Sequence, residues 1–408
     1  MLKKLRVLWA DDQPDVARTL GSSLAALKPE IRYVTSGEEA LKVLRSEYQD
    51  VAIVDLLMPP STWGGLWTLD ELRKSGIRTP VIVLSGEGRQ TETIKALRLG
   101  AVDYVTKESA DRELLECVAG VLKKQWESVQ MAIGTGFPIP LAVPFKRYQG
   151  AASAVTRLRK LIEFFEHALR FTCMVGLSDS SLLGVERPEL SKGFLQLSRP
   201  TMGNWNQMRV TLASAVNPRR QFHGFNWALE SGDIDRVIRA RNDLAHGGDP
   251  SEPEAASLLA ELERSAQLFL KGFWQRGGVK LFLAQSMKLF GGRFETSGVE
   301  LSGESFALPR FSISLSKAID SDRVYVAEPG VEDPANIEPY VLLEEGVDPG
   351  AWRVLVFDGW TWAREADLDG TETIRYLDLQ SGKRSAAPKD TRRLAAIEAS
   401  LWKQKALP

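Results

Sequence analysis

The sequence contains few of the side chains that build disulfide frameworks and metal clusters. Among its 408 residues there are two cysteines, Cys117 and Cys173, and three histidines, His167, His223 and His246. Two cysteines exclude a disulfide framework and a cysteine-ligated zinc site. Three histidines exclude a site with several histidine ligands, so any chemistry that requires an imidazole must use one of these three.

Long apolar runs and an excess of one charge are also lacking. The apolar runs are far shorter than the roughly 18 residues of a membrane span, and the stretch before the first predicted strand is too short for a signal peptide. The 52 Lys and Arg residues nearly balance the 53 Asp and Glu residues, for a net charge of −1. This balance gives no electrostatic case for a non-specific nucleic-acid or membrane binder. We therefore expect a cytoplasmic protein that binds no membrane.

The chain length and the changes of pattern along it predict a multidomain protein. A chain of 408 residues has room for roughly two to four domains. Alternating strands and helices fill residues 1–126, a Gly/Pro-rich linker follows over 127–150, and helical patterns extend over 151–276. Short strands then fill residues 277–408. We expect an α/β domain, an all-α bundle and a small antiparallel β domain with a C-terminal helix.

The segment Val51–Asp55 is the clearest strand of the first region. Four apolar residues in a row, rich in valine and isoleucine, are typical of a strand buried on both faces of a parallel sheet. Five such strands alternate with five helices, which predicts a doubly wound, five-stranded parallel sheet. Because the strand ends on Asp55, this acid lies at the carboxyl edge, where such sheets bind ligands.

Polar side chains follow the other strands at the same edge of the predicted sheet. Asp11 and Asp12 follow the first strand, Ser85 ends the fourth, and Lys107 follows the fifth. Three carboxylates on one rim repel each other, and Mg²⁺, a hard cation that takes oxygen ligands, removes that cost. Asp55 can then attack a phosphoryl donor as a carboxylate nucleophile. Lys107 and the Ser85 hydroxyl can hold the phosphoryl oxygens.

This constellation resembles the receiver domain of two-component response regulators. The matching residues are an acid pair, an acid followed by Met-Pro, a serine, a switch aromatic and a lysine: Asp11-Asp12, Asp55 with Met58-Pro59, Ser85, Tyr104 and Lys107. The resemblance covers residues 1 to about 126. It implies Mg²⁺-dependent phosphorylation of Asp55 by a partner histidine kinase or phosphotransfer protein, with Ser85 and Tyr104 as the switch.

Three features depart from the family's pattern. The loop after Pro59 is slightly longer than usual, Glu108 replaces the proline that usually follows the lysine, and Glu87 brings an acid near the phosphoryl group. A cis bond before a residue other than proline costs about 2.5–4 kcal/mol, so we expect the loop at Glu108 to differ locally. We expect Glu87 to alter the rate of dephosphorylation.

Composition and periodicity predict the structure of the next two regions. Residues 127–150 combine glycines and prolines with apolar residues, so we predict an irregular linker that packs against a neighbouring domain. From residue 151 to 276, apolar residues recur at intervals of three and four, which predicts a bundle of about five helices, one of them over Pro188–Leu197.

One helix of this bundle ends with the sequence Arg241-Asn242-Asp243-Leu244-Ala245-His246-Gly247. It resembles the motif of the HEPN superfamily of helical bundles, an arginine followed after four to six residues by a histidine. The resemblance implies a homodimer and, in active members, a metal-independent endoribonuclease acting on RNA. His246 would be the general acid/base, Arg241 the stabiliser of the phosphorane and Asn242 a supporting polar residue. The spacing alone is unspecific, because Arg239 also satisfies it; the alternative is an inert bundle in which Arg241 and His246 favour a helix C-terminus.

The last third of the sequence changes to strand patterns. Lys280–Leu289 and Arg293–Leu301 flank a Gly-Gly turn and predict a hairpin. Four more strands follow, and Thr391–Lys403 is predicted to be a closing helix. Trp352, Trp360 and Trp362 form either a recognition surface or part of a core, and no catalytic constellation is present in this third.

Two functions fit these observations. One is a response regulator whose receiver domain controls a HEPN-like output module, with a role in stress or antiphage signalling by family analogy. The alternative is a non-enzymatic phosphorelay component that accepts phosphate on Asp55 and binds protein partners. A DNA-binding regulator is disfavoured, because no helix-turn-helix pattern precedes a basic recognition helix and the charge is balanced.

Overall fold

A computed structural model describes residues 5–86, 90–182, 200–216, 231–275, 277–328, 333–346, 351–361 and 373–386. The chain divides into two compact units. The first contains Met1–Met131 and Phe269–Gly278, and the second contains Ala132–Leu268 and Val279–Pro408.

The first unit is built on a parallel sheet of five strands, as predicted. The strand order is β2-β1-β3-β4-β5, with every neighbouring pair parallel. The strands are β1 (Arg6–Ala10), β2 (Glu30–Val34), β3 (Val51–Asp55), β4 (Val81–Ser85) and β5 (Asp103–Thr106). The helices are α1 (Pro14–Gly21), α2 (Gly37–Ser46), α3 (Gly64–Lys74), α4 (Gln90–Leu99) and α5 (Ala110–Gly136), with a 3-10 helix over Ser22–Leu27.

Both faces of this sheet are covered by helices. Every residue of β3 and β4 is buried, which explains their continuous apolar sequences. Alternate residues of each strand serve opposite faces: Val54 packs in a cluster with side chains of α2, α3 and α4, whereas Ile53 packs with side chains of α1 and α5. This two-sided burial leaves the strand ends as the place where polar side chains meet.

The structure corrects the prediction of an irregular linker over residues 127–150. Helix α5 continues to Gly136, and α6 covers Ile139–Gln149. Pro140 lies in the first turn of α6, where its missing N–H is not needed. Phe145 of α6 is buried and its ring lies 5.2 Å from that of Phe164. The apolar residues of this segment therefore form a helix face, and packing outweighs the helix-breaking tendency of the glycines and prolines.

The second unit combines helices with two antiparallel sheets. The helices that follow α6 are α7 (Ala154–Leu182), α8 (Met202–Val216), α9 (Ser231–His246) and α10 (Glu252–Gln275); the last turns of α10 belong to the first unit. The helix predicted over Pro188–Leu197 lies outside the described residues. No helix in the described part of the chain is both long enough and apolar enough to span a membrane.

The nine strands in the described part of this unit form one sheet in the order β10-β9-β6-β7-β8 and another in the order β11-β12-β13-β14. They are β6 (Lys280–Phe290), β7 (Arg293–Glu300), β8 (Arg310–Leu315), β9 (Arg323–Ala327), β10 (Ala335–Asn336), β11 (Val341–Glu345), β12 (Trp352–Thr361), β13 (Thr373–Asp378) and β14 (Arg384–Ala386). The expected hairpin is formed by β6 and β7. The predicted closing helix and Trp362 lie outside the described residues.

The helices and sheets of the second unit cluster together rather than as a bundle and a separate β domain. Arg170 of α7 pairs with Asp358 of β12 at 2.9 Å, and both side chains are almost fully buried. Asp358 also accepts a hydrogen bond from Arg384, and the ring of Trp205 of α8 packs edge-on against Phe357. A buried ion pair is stable only when both partners stay in place, so these contacts bind helices and strands into one unit.

Candidate functional site

Three carboxylates meet at the carboxyl edge of the parallel sheet. Asp11 and Asp12 follow β1, Asp55 ends β3, and β1 and β3 are neighbours in the sheet. Oxygen atoms from the three side chains lie within 4.8 Å of one another. Asp11 and Asp55 are buried, whereas Asp12 is exposed. The three acids that the sequence suggested therefore form one cluster with an open side.

Lys107 supplies the positive charge of this cluster. Its Nζ lies 2.9 Å from an oxygen of Asp55 and 3.0 Å from an oxygen of Asp11. The backbone N–H of Lys107 donates to the carbonyl of Ser85 at 2.9 Å, which fixes the lysine at the end of β4. Two buried carboxylates require such a partner, because unpaired burial of a charge is costly. Glu108 stands where the resemblance places a proline, and Lys107 still reaches both acids.

The pKa shifts follow from burial and from these contacts. Burial raises the pKa of the Asp55 carboxyl above its usual value; the Lys107 ammonium and a backbone N–H of Leu57 oppose that rise, and the charge of Asp11 adds to it. Burial lowers the pKa of Lys107, but the carboxylates of Asp55 and Asp11 outweigh it, and the net shift is upward. Lys107 therefore stays protonated, and the basicity of Asp55 depends on it.

Ser85 and Tyr104 lie on neighbouring strands beside this cluster. Ser85 ends β4 and is buried, and Asp55 pairs with Leu84, the residue directly before it. Tyr104 pairs with Val83 across β4 and β5, and its side chain is 46% exposed. In this structure Ser85 is therefore buried, and the ring of Tyr104 is exposed to solvent. Glu87 lies outside the described residues.

Two glycines after Asp55 allow α3 to begin close to the acid cluster. The backbone N–H of Gly65 donates to the carbonyl of Leu56 at 3.3 Å, and that of Gly64 donates to the carbonyl of Met58 at 2.9 Å. A Cβ atom at Gly65 would collide with the carbonyl oxygen of Asp55, and one at Gly64 with that of Met58. Sequence reasoning treated this stretch only as a longer loop; the Gly-Gly pair directly before a helical pattern was the available signal.

The motif residues of the second unit lie at the end of α9. Arg241 is half-buried, and Asn242 and His246 are exposed. The Nη1 of Arg241 donates to the side-chain oxygen of Asn242 at 3.3 Å. The structure thus brings Arg241 and Asn242 into contact and places all three side chains within the last two turns of the helix, where solvent reaches them.

If Asp55 accepts a phosphoryl group, as the sequence predicts, replacement of Lys107 by methionine should slow this reaction, and should slow it more at acidic than at alkaline pH. Loss of the ammonium group removes the charge that favours the ionised carboxylate, so the pKa of Asp55 rises further. Rates of phosphoryl incorporation from acetyl phosphate, measured across pH by intact mass, test this. Lys123→Met, at an exposed position of α5, is the control. An unchanged pH profile in Lys107→Met would exclude the proposed coupling.

Comparison with known proteins agrees with this geometry. Residues 7–119 match the family model for the response regulator receiver domain. The chain is 34% identical over 122 residues to the probable transcriptional regulator ycf27 of Pyropia yezoensis, covering 30% of this chain and 49% of that protein. It is 31% identical over 134 residues to the transcriptional regulatory protein CpxR of Klebsiella pneumoniae subsp. pneumoniae (strain HS11286), covering 33% of this chain and 56% of that protein.

The chain is also similar to a solved structure. That structure is the receiver domain of the Francisella response regulator 1452, with 31% identity and a TM-score of 0.27, covering 29% of this chain and 96% of that chain. The chain spans about half the length of the curated relatives that it matches. The family match identifies residues 7–119 as a response regulator receiver domain.

Proposed function

We propose that this protein, whose residues 7–119 are a response regulator receiver domain, accepts a phosphoryl group on Asp55 and thereby controls its second unit. The observation that carries the proposal is the position of Lys107, whose Nζ lies within 3.0 Å of both Asp55 and Asp11. A partner histidine kinase or phosphotransfer protein is the donor. The Asp55 carboxylate attacks phosphorus, the bond from phosphorus to the donor nitrogen breaks, and an acyl phosphate forms.

The acid cluster fits a magnesium ion. Carboxylate oxygens within 4.8 Å of one another and an exposed side at Asp12 are suited to a hard cation that keeps some of its waters. Asp11, Asp12 and Asp55 would hold the ion, which when bound neutralises the oxygens of the transferring group. Lys107 holds one phosphoryl oxygen by charge, and the Ser85 hydroxyl donates to another.

The switch extends from Ser85 to the exposed face of α4 and β5. When the Ser85 hydroxyl moves toward a phosphoryl group, it leaves space into which the ring of Tyr104 can turn. Tyr104 is 46% exposed, and the large apolar side chains of Ile94, Leu97 and Val102 are exposed in the same region. Inward movement of Tyr104 therefore changes a surface that is available to a partner.

We infer that the second unit is a HEPN-like output module that acts as a homodimer on RNA. The support is the motif at the end of α9, where Asn242 and His246 are exposed and Arg241 is half-buried. Exposure is what a reaction on a macromolecular substrate requires. His246 would move the proton of the ribose 2′-hydroxyl, and Arg241 would stabilise the phosphorane without a metal ion. In the alternative, this unit binds proteins, and the chain relays or buffers phosphate.

Removal of Mg²⁺ is expected to abolish phosphorylation of Asp55, because the carboxylates and the incoming phosphoryl group would repel each other without the cation. The full chain is incubated with acetyl phosphate in Mg²⁺ or in EDTA, and the added mass is measured. Asp12→Asn should raise the Mg²⁺ concentration needed for half-maximal labelling. Asp15→Asn, whose side chain is 99% exposed, is the matched control and should not. Full labelling in EDTA would contradict the proposed magnesium site.

A further inference from the structure

A cavity of about 510 Å³ lies in the first unit at the amino-terminal edge of β4. Asp55 ends β3 at the opposite edge of the same parallel sheet, so this cavity is separate from the acid cluster. Its volume falls within the roughly 300–1,000 Å³ typical of small-molecule sites. Its apolar walls come from α3, the α4–β5 connection, α5 and the last turn of α10: Leu69, Leu72, Leu99, Val102, Val121 and Trp274.

The side chain of Gln125 lines this cavity and carries unused hydrogen-bonding groups. It belongs to α5 and is only 9% exposed. Among the residues that the structure describes, neither its amide nitrogen nor its amide oxygen has a hydrogen-bond partner. Buried polar groups are nearly always paired, and an unpaired buried amide is destabilising. Gln125 thus presents a donor and an acceptor side by side to the cavity.

Positive charge borders the same cavity. The guanidinium of Arg78 lies 3.9 Å from the centre of the Trp274 ring, and the backbone N–H of Arg78 donates to the carbonyl of Gln275. Lys124 precedes Gln125 on α5 and also lines the cavity. Among the residues that the structure describes, no carboxylate forms an ion pair with Arg78 or Lys124. The third cation, Arg73, is paired with Asp70 at 2.8 Å.

We propose that this cavity binds a mononucleotide. The Gln125 amide pairs with a base edge that carries an adjacent donor and acceptor, a geometry that glutamine amides use toward nucleobases. The apolar walls enclose the base, and Arg78 and Lys124 bind the phosphate. A neutral ring would leave the two cations without a counter-charge, and inorganic phosphate would leave the Gln125 amide and the apolar walls without a partner. A ligand that satisfies all of these groups therefore needs both a base and a phosphate.

The decisive variant is Gln125→Met, which keeps the length of the side chain and removes its polar atoms. If the amide is kept for a ligand, this variant has two effects of opposite sign. The unliganded protein should melt at a higher temperature, because an unpaired buried amide is replaced by an apolar group. Affinity for the mononucleotide should fall by about tenfold, because two hydrogen bonds are lost. Gln130→Met, an exposed position on the same helix, is the control and should change neither property.

Isothermal calorimetry and thermal melting of the full chain with AMP, GMP, CMP and UMP test the proposal. At least one of them should bind; adenosine, guanosine, cytidine, uridine and inorganic phosphate are the comparison ligands. Lys124→Met should weaken binding of the mononucleotide and leave binding of its nucleoside unchanged. The proposal is overturned if no mononucleotide binds, if Gln125→Met binds it as tightly as wild type does, or if the nucleoside or phosphate alone binds equally tightly. Phosphorylation of Asp55 is a separate property and should be retained in Gln125→Met.

Discussion

Wild-type protein incubated with acetyl phosphate and Mg²⁺ is expected to gain the mass of one phosphoryl group, and Asp55→Asn to gain none. The asparagine amide has nearly the shape of the carboxylate but is not a nucleophile. We expect no labelling of Asp11, because its Oδ1 accepts the backbone N–H of Gln13 at 2.9 Å and its Oδ2 accepts from Lys107 at 3.0 Å. Intact-mass spectrometry measures the added phosphoryl group directly, so the two proteins should differ by its full mass.

The control for this experiment is Asp111→Asn, at the start of α5, whose side chain is 71% exposed. It should be labelled like wild type. Persistent labelling of Asp55→Asn would assign the phosphoryl group to another residue. Absence of labelling in the wild type, with Mg²⁺ present, would contradict the phosphoacceptor role of Asp55 itself.

If the second unit cleaves RNA as proposed, His246→Ala should lower the cleavage rate by about 10²–10⁴-fold, which is the contribution typical of a general acid/base. His246 is exposed at the end of α9, so truncation of its side chain should leave the fold intact. Both proteins are tested on total RNA with Asp55 intact, in the phosphorylated and the unphosphorylated state. His223→Ala is the control, because His223 belongs to no comparable motif.

The products distinguish the mechanism. Cleavage should survive EDTA once the protein is phosphorylated, and the fragments should carry 2′,3′-cyclic phosphate ends if the 2′-hydroxyl is the nucleophile. Equal cleavage by wild type and His246→Ala would exclude His246 as the catalytic base. No cleavage by either protein in both phosphorylation states would favour the phosphorelay component that only binds proteins.

The receiver fold and its acid cluster were predictable because both are encoded locally. Continuous apolar strands separated by amphipathic helices determine a parallel sheet, and polar residues directly after the strands must meet at its carboxyl edge. The contact of Lys107 with both Asp55 and Asp11 depends on strand register and on the lysine rotamer. Neither of these can be read from the spacing of residues in the sequence.

The errors arose where tertiary packing outweighs local propensity. Helix α6 forms in spite of Pro140 and Pro144, because Pro140 occupies the first turn and the apolar face is buried. Strand β8 was not predicted, although Phe311 and Ile313 alternate with serines as in a half-buried strand. The buried pair of Arg170 and Asp358 joins residues far apart in sequence, so the grouping of helices with sheets had no local signal.

The sequence contains a signal for Gln125, the polar residue of the cavity. Buried residues recur along α5 at intervals of three and four, and Gln125 lies in this stripe between Val121 and Val129. A glutamine in an apolar stripe is an exception to the rule that helix faces toward a core are apolar. Such an exception indicates either a buried hydrogen bond or a ligand, and no described residue forms a hydrogen bond with the Gln125 side chain.

Hydrogen exchange of the full chain with and without beryllofluoride tests most directly the central claim, that the cluster around Asp55 is a phosphoryl switch. Beryllofluoride with Mg²⁺ imitates the phosphoryl group on an aspartate. Exchange should change in peptides from α4 and β5, where Ser85 and Tyr104 transmit the change, and Asp55→Asn should show no such difference. Identical exchange of wild type in both conditions over Gln90–Thr106 would contradict the switch and leave Asp55 as a passive phosphate acceptor.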